Sequence, residues 1–167
     1  MARSATRPGA AAPRWLDQRE MAAWRTYVTT FTDLGSAMES DLDQTGLMTG
    51  DYQVLVNLSE AEDRSVRMCD LAGKLQLSPS GLTRRLDGLV RAGYVERRPS
   101  EADRRVMLAV LTPAGFDKLV EAAPIHVASV RRRMIDLLSP AELDAIASAF
   151  GKIRAALDAE RGIDHSA

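Results

Sequence analysis

The sequence contains one cysteine, Cys69, which excludes an intramolecular disulfide framework. No apolar run reaches the roughly 18 residues that a membrane-spanning helix requires. The arginines near the N-terminus are not followed by the apolar segment of a secretory signal. These absences predict a cytoplasmic protein without a membrane partner. Aromatic residues make up only 5% of the chain, whereas leucine, alanine and valine dominate, which favours helices over a β-sandwich.

Clusters typical of enzymes and metal sites are also missing. His126 and His165 are far apart in the sequence, and no group of cysteine, histidine and acidic residues has metal-ligand spacing. There is no glycine-rich phosphate loop, and no nucleophile is paired with a base. We therefore expect no enzymatic activity, no metal and no cofactor.

The net charge of -1 over 167 residues conceals an uneven distribution. The segment from Arg64 to Arg105 contains ten basic and five acidic side chains, so the remainder of the chain is acidic. A basic segment between acidic ends is typical of a DNA-binding module set in a larger frame.

Apolar residues recur every three or four positions over much of the chain, which predicts helices. The first stripe consists of Met21, Trp24, Val28, Phe31, Leu34, Met38 and Leu42. It indicates one long helix from about Trp15 to Leu42. A second, shorter helix is expected to begin with Thr49 as its N-cap and to end near Glu62.

Two further short helices and a hairpin follow. The first, around Met68 to Leu75, lacks a good N-cap, whereas the next begins with Ser78 as N-cap and Pro79 in the first turn. Its expected buried face consists of Leu82, Leu86, Leu89 and Val90, and Gly93 is expected to end it. The period then changes to two in Tyr94–Arg98 and in Val106–Leu111, which predicts two strands joined by a polar turn.

Two helices complete the chain. Thr112 and Pro113 begin the first, and Pro124 within it predicts a kink or a break. The last helix begins at a capping box, Ser139 to Glu142, and its stripe consists of Leu143, Ile146, Phe150, Ile153 and Leu157. Narrow stripes on the first and last helices suit packing against other helices. We therefore expect a homodimer with twofold symmetry.

This order predicts a mainly α fold with a small β-hairpin wing, namely a winged helix-turn-helix with terminal dimerisation helices. The expected organisation is a disordered tail over 1–14, an N-terminal dimerisation helix over 15–48 and a DNA-binding domain over 49–112. C-terminal dimerisation helices over 113–160 and a tail over 161–167 follow.

The helix-turn-helix and wing carry a recognisable set of residues. They are Leu71-Ala72, Leu77-Ser78-Pro79-Ser80, Leu82-Thr83-Arg84, Leu86-Asp87, Leu89-Val90, Gly93-Tyr94-Val95, Asp103-Arg104-Arg105, Leu108, Leu111-Thr112 and Gly115. From Tyr52 to Gly115 the chain resembles the multiple-antibiotic-resistance-regulator (MarR) family. It departs from the family at Gln76, where glycine is frequent, and at Arg67, which replaces a capping hydroxyl.

The resemblance implies a sequence-specific regulator, most often a repressor, that binds double-stranded DNA as a dimer and is released by a small, often aromatic, ligand. It also implies that Asp103 braces the wing while Arg104 or Arg105 enters the minor groove, and we favour Arg105. For the ligand, the candidate residues are Trp24, Tyr27, Met38 and Tyr52; for each of them ordinary core packing is the competing interpretation.

Physical reasoning on the fourth helix gives the same roles. With its leucines turned inward, Ser80, Thr83, Arg84 and Asp87 face outward, and the first turns of such a helix meet base edges. Arg84 can donate two parallel hydrogen bonds to guanine. The helix N-terminus at Ser78 suits a phosphate, and Arg85 is expected to contact the DNA backbone. The predicted DNA-binding residues are Ser78, Ser80, Thr83, Arg84, Arg85, Asp103, Arg104 and Arg105.

Two other functions compete with a ligand-responsive repressor. One is a winged-helix module that binds proteins and not DNA, although such modules usually lose the basic face. The other is a redox regulator that uses Cys69, which lies early in a helix where a thiolate is favoured. A purely structural thiol is the stronger interpretation of Cys69.

Overall fold

The computed structural model describes residues 13–160, so the predicted tails lie almost wholly outside the described residues. The helices are α1 (Gln18–Asp43), α2 (Thr49–Ser59), α3 (Met68–Lys74), α4 (Pro79–Arg91), α5 (Pro113–Arg133) and α6 (Pro140–Glu160). The strands are β1 (Ser65–Arg67), β2 (Val95–Pro99) and β3 (Met107–Leu111), and Glu62–Arg64 and Ile135–Leu137 form single 3-10 turns. The chain divides into two compact units, Met1–Ser36 and Ala37–Ala167.

Side-chain caps determine where three of the helices begin, as the sequence predicts. At α4 the Ser78 hydroxyl accepts a hydrogen bond of 3.1 Å from the Gly81 N–H, and at α5 the Thr112 hydroxyl accepts one of 3.0 Å from the Gly115 N–H. At α6 the capping box is closed, because the Ser139 N–H donates to the Glu142 carboxylate at 2.8 Å. Each cap satisfies an N–H that has no partner within the helix.

Left-handed residues end the two helices of the helix-turn-helix. Gly93 has a φ of 77° after α4, as expected for a C′ glycine. Gln76 has a φ of 55° after α3, where its N–H donates to the Gly73 carbonyl and the Leu77 N–H to the Ala72 carbonyl. These two bonds form the same type of helix end that glycine usually makes. Gln76, which stands where glycine is frequent in the family, therefore adopts the same turn conformation as a glycine would.

The predictions for the two ends of α2 and for Val90 are wrong. The N-cap of α2 is Met48, without a side-chain cap, so Thr49 is already helical, and the helix ends at Ser59. Val90 is 37% exposed, because it lies about 100° round the helix from the buried Leu89. Of the kink or break predicted at Pro124, the break does not occur, because α5 continues to Arg133. Pro124 lies on the exposed side, where water can hydrogen-bond the carbonyl oxygen that a proline leaves unpaired.

The hairpin belongs to a three-stranded antiparallel sheet with the order β1-β3-β2. On β3, Ala109 pairs with Val66 of β1 and with Arg97 of β2. Sequence reasoning missed β1, because three residues are too few to show a period of two. Its effect is to join the segment before α3 to the base of the wing.

The core of the second unit is formed by residues from the C-terminal end of α1 and from α2, β1, α3, α4, β2, β3 and α5. Its most deeply buried side chains are Leu42, Val54, Leu55, Leu58, Leu71, Leu82, Leu86, Val95, Ala109 and Ala122. Three leucines of α4 belong to this core, so the position of α4 is determined by apolar packing on one face. The opposite face is left available for other contacts.

Gly115 has no room for a side chain. A Cβ at this position would lie 2.1 Å from the carbonyl oxygen of Tyr94, a backbone atom that cannot move alone. We expect Gly115→Ala to lower the free energy of unfolding by roughly 1–3 kcal/mol, the usual cost of overpacking a core. Urea unfolding would measure this. Gly73→Ala is the control, because nothing lies within 4 Å of its Cβ; equal stability of the two variants would contradict the explanation.

The C-terminal end of α1 is joined to α5 through Asp41. Its carboxylate accepts hydrogen bonds from Arg133 at 2.9 and 3.1 Å, from Ser129 at 2.6 Å and from Arg132 at 2.8 Å. The hydrogen bonds from Arg133 and then Ser129 hold the pKa of Asp41 well below its ordinary value, and Asp41 raises the pKa of Arg133. The ionised carboxylate is therefore the form that stabilises the fold.

A lowered folded-state pKa gives stability that is complete above the unfolded pKa, about 4, and is lost as the pH falls below it. We expect Asp41→Asn to lower the urea midpoint at pH 7 and to approach wild type as the pH falls below about 4. Asp43→Asn, at an exposed position of the same helix end, is the control. A deficit of constant size from pH 7 to pH 3 would show that the carboxylate charge is not the cause.

Candidate nucleic-acid interface

The outward face of α4 presents polar side chains to solvent. Ser80, Thr83, Arg84 and Asp87 are all exposed, as the sequence predicts, because Leu82, Leu86 and Leu89 occupy the opposite face. α4 follows α3 after a turn of four residues, which is the arrangement of a helix-turn-helix. In such a motif the second helix is the one that enters the major groove.

Hydroxyl groups at the start of α4 are already engaged in hydrogen bonds. Ser78 caps the helix and lies 3.2 Å from the Ser80 hydroxyl. The Thr83 hydroxyl donates to the Pro79 carbonyl at 2.9 Å. Thr83 is thus left as an acceptor, suited to a base amino group, while Ser80 keeps bonding capacity for a base or a phosphate.

Arg84 is exposed, and within residues 13–160 its guanidinium has no hydrogen bond or ion pair. All five N–H donors therefore remain available to a ligand. Arg85 differs from its neighbour, because its side chain is only 30% exposed and its Nη1 lies 3.6 Å from the Asp51 carboxylate of α2. Sequence analysis placed Arg85 against the DNA backbone and did not identify its pairing with Asp51.

The wing ends in a turn that exposes two arginines. The Arg105 N–H donates to the Asp103 carboxylate at 3.0 Å, and the Val106 N–H donates to the Asp103 carbonyl at 2.9 Å. Arg104 is exposed, and the Arg105 side chain is 95% exposed with only a long ion pair of 3.8 Å to Asp103. Asp103 thus holds the turn, while both guanidinium groups remain open to solvent.

Arg97 was missed by sequence reasoning. From β2 it donates at 2.8 Å to both the Thr83 carbonyl and the Asp87 carboxylate of α4. It joins the base of the wing to the recognition face and neutralises an acidic group that would otherwise repel phosphates. No sequence signal identifies it, because its partners are 10 and 14 residues away on a different element.

Candidate ligand-binding residues fall into two groups. In the first unit, Trp24 and Tyr27 are exposed neighbours on α1, with ring centroids 5.9 Å apart. In the second, Tyr52 is 8% exposed and its ring lies 4.5 Å from His126, and burial lowers the pKa of His126. Met38 is half-buried. Tyr52 is thus a core residue here, and a ligand role for the four remains a prediction.

Cys69 is exposed, and its thiol donates to the Asp70 carboxylate at 3.3 Å. It is therefore not the packed structural thiol that we expected.

The described part of the chain contains no cluster of three or more histidine, cysteine and acidic residues able to hold a metal. Nor does any helix between residues 13 and 160 have the length and apolarity required to cross a bilayer.

Comparisons with known proteins give a consistent result. The profile of the MarR family matches residues 49–107. AbsC, a MarR family transcriptional regulator from Streptomyces coelicolor, is 41% identical with a TM-score of 0.85, over 88% of this chain and 99% of that one. Sco3205 from the same organism, solved in complex with DNA, is 30% identical with a TM-score of 0.82, over 87% and 91%.

A curated relative is more distant. YetL, a transcriptional repressor of Bacillus subtilis (strain 168), is 30% identical over 97 residues, which are 58% of each chain. The chain thus spans 58% of the length of YetL. The profile match, the winged-helix fold and the likeness to AbsC over nearly all of its length lead to one conclusion: the chain belongs to the MarR family of transcriptional regulators.

Proposed function

We propose that the protein is a homodimeric repressor that binds a pseudo-palindromic site in double-stranded DNA and is released by a small aromatic ligand. The observation that carries the proposal is the contrast between paired and unpaired arginines. Arg84 on α4 and Arg104 at the wing tip have no partner among the described residues, and both are exposed. Unpaired cations on a recognition helix and a wing suit a polyanion.

The proposed roles follow from these positions. Ser80, Thr83 and Arg84 read base edges in the major groove, with Arg84 donating to a guanine. The N-terminus of α4 at Ser78 faces a phosphate. Arg105, held beside Asp103, enters the minor groove, where arginine is favoured by the negative potential. The relative Sco3205, solved with DNA, supports this use of the fold.

Exposed apolar faces on the first and last helices support the dimer. On α1, Phe31 is 66% exposed, and it continues an aromatic row with Trp24 and Tyr27. On α6, Ile153 is 54% exposed, between Phe150 and Leu157. Apolar rows of this kind are costly in water and are typical of an interface. A symmetric dimer would place the two recognition helices about 10 bp apart on DNA.

Repression and release by a ligand rest on the family relationship. YetL is named a repressor, and we extend that role to this chain. For release, a small aromatic ligand would contact Trp24, Tyr27, Met38 or Tyr52 and bind better to the dimer in the form that does not fit DNA. An exposed basic face argues against a module that binds only proteins.

The proposal is tested with DNA from upstream of the protein's own coding region. Fluorescence anisotropy would compare that DNA with a scrambled duplex of the same length between 50 and 300 mM salt. We expect preference for the upstream DNA and an affinity that falls steeply with salt. Equal affinity for both duplexes at every salt concentration, together with no preferred sequence in a selection from random DNA, would overturn the proposal.

A further inference from the structure

Arg85 is adjacent to Arg84 in the sequence but lies on a different face of α4. Its Nη1 is 3.6 Å from the Asp51 carboxylate, and the two side chains are 30% and 17% exposed. Asp51 lies in the first turn of α2, where the helix dipole favours a negative charge. The pair therefore joins the recognition helix to the start of the preceding core helix.

Gly50 makes this contact possible. A Cβ at Gly50 would lie 2.3 Å from Nη1, 2.4 Å from Cζ and 2.7 Å from Nη2 of Arg85, so the guanidinium group rests directly on the glycine backbone. The φ of Gly50 is not positive, so the backbone of α2 would accept another residue there. An alanine there would meet only the end of the Arg85 side chain, so the guanidinium group is what would have to move.

We infer that Arg85 is a positioning residue, held by Gly50 and Asp51, which fixes the recognition helix on α2 and does not bind a DNA phosphate. This inference rests on the proposed DNA-binding function. An arginine that is already paired with a carboxylate and largely removed from water adds little net charge for a phosphate to meet. It instead restrains the side of α4 that lies opposite the Arg97 contact from the wing.

The consequence concerns specificity. Arg84 and Arg85 both lie on α4. A small rotation of α4 would therefore move the Arg84 guanidinium away from the base edge that it reads. A binding group must be held to within about 0.5 Å of its productive position by neighbouring contacts. Loss of the Arg85 contact should therefore reduce the preference for the correct sequence while leaving contacts with the DNA backbone in place.

Gly50→Ala is the decisive variant, because it displaces the Arg85 guanidinium without changing any charge. It would be compared with Arg85→Ala, with the double variant and with Gly73→Ala, a glycine of α3 with nothing within 4 Å of its Cβ. Binding to the selected operator and to scrambled DNA would be measured at several salt concentrations. Thermal unfolding of each variant would be measured alongside.

We expect Gly50→Ala and Arg85→Ala each to reduce the ratio of specific to non-specific affinity by about 5- to 30-fold. The slope of log affinity against log salt should stay at the wild-type value in both. The double variant should be no worse than Arg85→Ala, because both changes remove one contact. Gly73→Ala should bind like wild type, and none of these differences should follow the melting temperature.

Two results would overturn the inference. If Arg85→Ala lowers the salt slope by about one while Gly50→Ala binds like wild type, Arg85 contacts a phosphate. If both variants keep the wild-type ratio, the contact has no role in recognition. In either case the wild type still prefers its operator, so the proposed function stands. A wild type without any sequence preference would instead overturn the function and the inference together.

Discussion

Ile153→Glu is expected to separate the dimer and to abolish operator binding at working concentrations. The side chain lies in the exposed apolar row of α6, and a carboxylate buried in the proposed dimer interface would lose its hydration at a large cost in free energy. A separated chain presents one recognition helix instead of two. Since linked binding sites gain 10²–10⁴-fold in avidity, we expect a loss of affinity of at least about 100-fold.

The oligomeric state is measured by sedimentation or by light scattering. Wild type should give twice the chain mass of 18.2 kDa and the variant the chain mass itself. Ser148→Glu is the matched control, because it adds the same charge on α6 at an exposed position about 140° round the helix from Ile153. A monomeric wild type that still binds a palindromic site tightly would disprove this account of the interface.

Arg84→Ala has the second largest expected effect. A bidentate contact with guanine is worth about 1–3 kcal/mol of discrimination, or about 5- to 150-fold, at each half-site. The variant should lose its preference at one base pair of each half-site and keep it elsewhere. A binding assay across all single substitutions of the operator would locate that base pair.

Arg105→Ala is the comparison for Arg84→Ala. Because its side chain is 95% exposed at the tip of the wing, its loss should weaken binding to all sequences to a similar degree and lower the salt slope by about one. Arg98→Ala removes the same charge from an exposed position of β2 outside the proposed contacts. If Arg84→Ala behaved like Arg105→Ala, the assignment of base reading to Arg84 would be wrong.

These predictions depend on which arginines form ion pairs within the protein and which do not. Arg97 forms an ion pair with Asp87, and Arg85 forms one with Asp51. Arg84 and Arg104, in contrast, have no partner within the described residues. A basic segment is therefore not uniformly a DNA-binding surface. Part of its charge is paired with carboxylates of α2 and α4, and part has no partner among the described residues.

Local signals in the sequence were sufficient for most of the fold. The caps at Ser78, Thr112 and Ser139, the left-handed end at Gly93 and the change of period at the wing all lie within a few residues of the features that they determine. The continuity of α5 through Pro124 and the presence of β1 depend on the surroundings: Pro124 is exposed to solvent, and β1 pairs with the distant β3.

The amino-acid sequence by itself determined the family, the order of helices and wing, and which leucines of α4 face inward, because each of these follows from short-range periodicity and capping. Only the tertiary structure decided which arginines are available. The contacts from Arg97 to Asp87 and from Arg85 to Asp51 join residues 10 and 34 positions apart on different elements. Such contacts arise when the leucine core brings α2, α4 and β2 together, and no local pattern encodes them.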